Sequence, residues 1–98
     1  MLKTYYHATP YQNLVSIIDE GIKTSSDGVV FLCEQPDEAA RFVAVRGHKQ
    51  ILSLGVELDE SKVKESFDHS EEFFKCKAYI YSENIPTDKI ISFTKYEL

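Results

Sequence analysis

Hydrophobic and polar positions alternate with two different periods along this chain, and their succession predicts its elements. Leu2 to His7 is a tyrosine-rich strand. Behind it, Tyr11 to Gly21 is amphipathic. Leu14, Ile17, Ile18 and Ile22 recur at helical spacing and predict one buried helix face. Pro10 suits the first helical position, where no N–H bond is lost, and Thr9 suits the cap, because its hydroxyl can accept from a free N–H of the first turn. Gly21 is the expected stop, so the first helix covers about Pro10 to Glu20. Lys23 to Gly28 is polar and ends in the turn signal Asp27-Gly28. Val29 to Cys33 is a short continuous apolar run, expected as a buried strand.

Pro36-Asp37-Glu38 opens a second helix with acids in its first turn, where the helix dipole favours them. Ala39, Ala40, Phe42 and Val43 are expected to pack inward, and the helix to end near Gly47. Ile51 to Leu58 reads as a strand. Asp59 to Ser70 is charged and expected to be irregular, with at most a short helical turn. Phe73 to Tyr81 is aromatic and β-prone. Glu83-Asn84-Ile85-Pro86 reads as a turn, since Pro86 cannot continue a central strand, and Lys89 to Tyr96 as a closing strand. The order β-α-β-α-β-β-β has two helices early and three strands late, an α+β pattern and not a repeated crossover unit.

Length and charge narrow the picture. The 98 residues predict a single domain, 1–98. No apolar run approaches the roughly 20 residues of a membrane helix. Met1-Leu2-Lys3-Thr4 has no signal-peptide character. Cys33 and Cys76 lack metal-type spacing and are expected as reduced thiols, so the chain reads as cytoplasmic with no membrane partner. A net charge of −5 disfavours nonspecific nucleic-acid binding. Positive residues nevertheless gather at Arg41, Arg46, His48 and Lys49, and a pocket for an anionic cofactor would draw on that group. The acids of Asp68 to Glu72 read as a solvated face.

Among candidate chemical groups, His7 comes first. It sits at a strand-to-helix junction, where backbone groups are free and a ligand can approach. The other reading of His7 is a half-buried histidine bonded to a neighbouring carbonyl. Cys33, in an apolar strand, reads as inert packing. His7, His48 and His69 have no ligand spacing, so no metal is expected. The four glycines never reach G-x-G-x-x-G spacing, which argues against a Rossmann or P-loop nucleotide site.

In order along the chain stand Tyr6-His7-Ala8-Thr9, a helix ending in Gly21-Ile22, then Val30-Phe31-Leu32, then Pro36-Asp37-Glu38-Ala39-Ala40. This succession resembles the NAD-binding lobe of ADP-ribosyltransferases, whose first motif is often His-Gly-Thr; Ala8 replaces the glycine. Val45-Arg46-Gly47-His48-Lys49-Gln50-Ile51-Leu52 is similar to a segment of the RNA 2′-phosphotransferase family, and Ser82-Glu83-Asn84-Ile85-Pro86 to the end of that lobe. The resemblance spans about residues 5 to 91. It implies a compact ADP-ribosyltransferase-like split β-sheet core with two early helices, and NAD as substrate with no metal. It implies cofactor contacts from His7, Ala8, Thr9, Phe31, Arg41 and Arg46, and a catalytic role for His7 and Arg46. The family's late-strand glutamate falls at Ala78, beside Lys77, and Glu83 is the candidate substitute acid. The RNA 2′-phosphotransferases have a separate N-terminal lobe with an essential Arg-His pair, for which this chain is too short. The expected function is transfer of ADP-ribose from NAD to a protein or nucleic-acid acceptor. The alternative is a noncatalytic binding module or inhibitor of the same fold, acting on a protein partner through its surface. A third reading, a small α+β domain with no ligand, predicts no cleft near His7.

Overall fold

A computed structural model of the chain describes residues 1–66 and 78–98. Its elements are β1 (Leu2–Pro10), α1 (Leu14–Glu20), β2 (Val30–Leu32), α2 (Pro36–Ala44), β3 (Gln50–Asp59), β4 (Val63–Ser66), β5 (Ala78–Tyr81) and β6 (Ile90–Glu97). Single 3-10 turns precede α1, β4 and β6. The architecture is α+β: two antiparallel three-stranded sheets, ordered β1-β3-β6 and β2-β5-β4, with two helices.

β3 is the spine. Ile51 through Val56 are all buried, because both faces of this strand are covered. Leu52, Leu54, Val56 and Leu58 join Tyr5, Ile17, Ile22, Val30, Leu32 and Ile85 in the main core on one face. On the other face Ile51 packs with Ala40 and Val43 of α2. Fully burying one side chain such as Leu54 stabilises the fold by about 1.5–3 kcal/mol. β1 pairs with β3 along its entire length, from Leu2 opposite Asp59 to Pro10 opposite Ile51.

That pairing corrects the predicted first helix. Pro10 is the last residue of β1, and a 3-10 turn over Tyr11–Asn13 leads into α1. Thr9 caps no backbone N–H; its Oγ1 accepts from Asn13 Nδ2 at 2.8 Å. Ile17 and Ile22 are buried, but Ile18 is 54% exposed, because so short a helix buries only a narrow stripe. Gly21 does end α1, at φ +78, with its N–H on Ile17 O at 2.8 Å. A side chain there would strike the Ile85 carbonyl, and the neighbouring Ile22–Ile85 bridge ties α1 to the turn before β6.

Elsewhere the second helix stops at Ala44, and 3-10-type bonds carry the chain on to Gly47. Val63–Ser66, expected to be irregular, is a strand, because β5 offers it a ladder partner from Val63 opposite Tyr81 to Ser66 opposite Ala78. The expected strand Phe73 to Tyr81 is described only as Ala78–Tyr81. Phe73 to Lys77, Cys76, His69 and the acids Asp68 to Glu72 lie outside the described residues. Among the described residues, no helix is long and apolar enough to cross a membrane.

Candidate functional site

The two sheets touch where β1 meets β2, and the site follows from how they part. Tyr6 and Cys33 exchange two backbone bonds, each of 2.8 Å. Below this bridge the strands are stapled. Lys3 Nζ donates to Glu34 Oε2 at 2.9 Å and lies over the rings of Tyr5 and Tyr79, which meet edge-on at 5.6 Å. Burial, with Glu34 beside it, pushes the Tyr79 phenol up to about 12. Above the bridge the strands separate. The next rung of an antiparallel ladder would join Ala8 to Phe31, and no such bridge forms. Instead, the Phe31 carbonyl accepts from His7 Nδ1 at 2.9 Å.

Two consequences follow. Backbone groups alternate sides along a strand. Since Tyr6 turns its N–H and C=O toward β2, so does Ala8, and these groups face the opening and not β3. The bond to Phe31 also sets the histidine tautomer: Nδ1 carries the proton and Nε2 is left as an acceptor. Burial lowers the His7 pKa below its ordinary 6.5, only partly offset by the Phe31 carbonyl, so the ring is neutral near pH 7. The carbonyl-bonded reading of His7 is therefore what the structure shows, and the same bond is what aims the ring.

A cavity of about 80 Å³ fills the opening. β1 contributes His7 and Ala8; β2 and the residue after it contribute Phe31, Leu32 and Cys33. Helical spacing brings Ala39, Phe42 and Val43 of α2 to the same wall, and the turn after α2 adds Arg46. Arg46 is exposed, and its guanidinium has no ion pair or hydrogen bond among the described residues. His7 also borders a second hollow of about 310 Å³, with Thr9, Asn13, Ser16, Glu20 and Lys23. The β1/β2 cavity is smaller than the ~300–1,000 Å³ typical of ligand pockets, and the hollow on the α1 side of His7 is the larger of the two. The combination of a neutral imidazole, an open backbone edge, an aromatic ring and a guanidinium suits a flat amide-bearing ring joined to an anionic group.

The structure thus brings His7, Ala8, Phe31 and Arg46 together, with Thr9 in the adjoining hollow. It does not bring Arg41, which lies 3.8 Å from Asp37 and lines a different hollow with Tyr96 and Leu98. Glu83 is exposed after β5 and borders neither space beside His7. Ala78 itself stands in the cavity wall. Sequence reasoning gave no site role to Phe42 or Asn13. The signal for Phe42 was its i, i+4 spacing to Arg46; Asn13 had none until Thr9 was seen to accept from it. No group of three or more metal-binding side chains occurs among the described residues. No protein-family model matches the chain, and neither does any curated protein.

Proposed function

We propose that the chain is a cytoplasmic ADP-ribosyltransferase-like protein that binds NAD at the β1/β2 opening and transfers ADP-ribose to a macromolecular acceptor. One observation carries this reading: the Ala8 N–H and C=O face a cavity beside His7 instead of completing a ladder. A carboxamide is their complement, with an oxygen that accepts from the N–H and an NH₂ that donates to the C=O. In this pose the Phe31 ring stacks on nicotinamide, His7 Nε2 accepts from a ribose hydroxyl, and Arg46 meets the diphosphate. Transfer breaks the bond between ribose C1′ and the nicotinamide nitrogen, and the electron pair leaves with nicotinamide. The acceptor nucleophile then bonds C1′ and gives its proton to solvent. The transition state has oxocarbenium character, which positioning and electrostatics stabilise. Two separate sheets and two early helices also agree with the split-sheet core that the resemblance implies.

Ala78 in the cavity wall favours a second reading, a noncatalytic module of the same fold that acts through a protein surface. Calorimetric titration with NAD, followed by incubation of labelled NAD with lysate, separates the two. Binding with labelled product supports transfer. Binding without product supports the module. Absence of both rejects the NAD reading.

A further inference from the structure

We propose that Glu20 makes the His7 site selective for NAD over its 2′-phosphorylated form, NADP, by closing the α1-side hollow to a phosphate. This specificity rests on the NAD reading and adds a discriminating residue to it. Size comes first. The β1/β2 cavity, at about 80 Å³, takes one flat ring and no more of a dinucleotide. The hollow of about 310 Å³ lies on the other side of His7, and among the described residues His7 alone lines both spaces. With nicotinamide at Ala8 and a ribose hydroxyl on His7 Nε2, the adenosine half passes over His7 into this hollow.

The hollow has a marked chemical bias. Asn13, Ser16, Glu20 and Lys23 follow one another at helical spacing and turn a polar stripe toward it. Each already commits a donor or a charge within the protein. Asn13 Nδ2 donates to Thr9 Oγ1 at 2.8 Å, and Ser16 Oγ donates to the Asn13 carbonyl at 3.0 Å. Lys23 Nζ lies 3.2 Å from Glu20 Oε2. What remains is rich in acceptors: Asn13 Oδ1, the Ser16 Oγ lone pairs and the second Glu20 oxygen, with His7 Nε2 beside them.

Such a wall fits donors, and the free hydroxyls of a ribose are donors. It does not fit a phosphate. A 2′-phosphate replaces a donating hydroxyl with oxygens that only accept, and it brings a charge of about −1.5 to −2 toward the Glu20 carboxylate. Phosphate sites draw on cations free to face the ligand. The cation of this hollow is Lys23, and Glu20 holds it. Arg46 stands across His7, in the cavity wall. Glu20 therefore discriminates twice, by accepting from ribose and by occupying Lys23. Both side chains are more than half exposed, 57% and 60%, so solvent screens the effect and the expected preference is about tenfold.

Calorimetric titrations of the intact chain with NAD and with NADP, at low and high salt, test this, with backbone amide chemical shifts read in parallel. NAD should bind about tenfold tighter than NADP. The preference should shrink as salt rises. NAD should also shift the Asn13, Ser16 and Glu20 amides. Glu20→Gln keeps the shape of the side chain, removes its charge and releases Lys23, so the ratio of NAD to NADP affinity should fall severalfold. Three results would overturn the proposal while leaving the NAD reading standing: equal affinity for the two dinucleotides, a ratio unchanged in Glu20→Gln, or NAD binding that leaves the α1 amides unmoved. Binding of neither dinucleotide rejects the NAD reading and this specificity with it. The wild-type titrations and shifts decide the matter on the unmodified chain if Glu20→Gln does not fold.

Discussion

The sheet β1-β3-β6 has two edges, and they behave differently. β1 is bridged to the second sheet at Tyr6–Cys33, and the strands then part, so its edge is open for a residue or so and walled by β2 and α2. β6 is paired with β3 on one side only; on its outer side no strand lies beside it among the described residues, and that edge runs open over most of eight residues. A short walled opening suits one small amide-bearing ligand. A long bare one suits another strand. The same backbone groups serve both purposes, and what differs is how far the neighbouring element stays away.

The residue that joins the two edges is Leu54, which lies opposite His7 on one side and Phe93 on the other. It is fully buried, so Leu54→Ala should cost about 2–5 kcal/mol in urea unfolding and weaken both edges at once. Loss of stability below about 1 kcal/mol would mean that the site collapses around the smaller side chain. Gly55 is the next lever. It lies between Tyr6 and Ser92, and a Cβ there would meet the Ser92 hydroxyl and crowd the Tyr6 ring. Gly55→Ala should cost about 1–3 kcal/mol, with part recovered by adding Ser92→Gly.

His7 separates the edges. On the proposed NAD reading, His7→Ala should weaken that binding tenfold or more, about 1.4 kcal/mol by calorimetry, and leave the β6 ladder with β3 unchanged. The same residue gives a pH signature. Its folded pKa lies below the unfolded value, so the unfolded chain binds more protons between the two. Its contribution is complete above pH 6.5 and is lost as pH falls toward the folded pKa. Urea midpoints should drop on acidification through this window, and His7→Asn should flatten that part of the slope. The smallest effect is expected at Lys95, whose ion pair and ring contact are both at the surface. Lys95→Ala should leave the denaturation midpoint within measurement error.

Much of the fold was legible because local signals and burial agree. The helical spacing of Leu14, Ile17, Ile18 and Ile22, although Ile18 stays exposed, the stop at Gly21 and the apolar run from Ile51 each identify an element from its own residues. Thr9 and Pro10 misled because their local preference for a helix start lost to the ladder with β3, which carries β1 on to Pro10. Val63–Ser66 has little strand character of its own and is a strand because β5 lies beside it. The site divides in the same way. His7, Phe31 and Arg46 were named from the resemblance, with Arg46 ahead of Arg41, and Arg46 is the one that lines the cavity beside His7. Arg41 lies within α2 and Arg46 in the turn beyond its end, and the docking of α2 with that turn puts Arg46 in the cavity wall.

By itself, then, the sequence determined the order of the strongly periodic elements and the apolar run from Ile51 that enters the core, since periodicity and apolar burial act locally, whereas ladder partners carried β1 on to Pro10 and made Val63–Ser66 a strand. The tertiary structure alone decided that β1 and β2 part after one bridge, which backbone groups that leaves open, and that β6 ends the sheet. A strand carries the same N–H and C=O groups whatever its sequence, and whether they are satisfied or exposed depends only on what lies alongside.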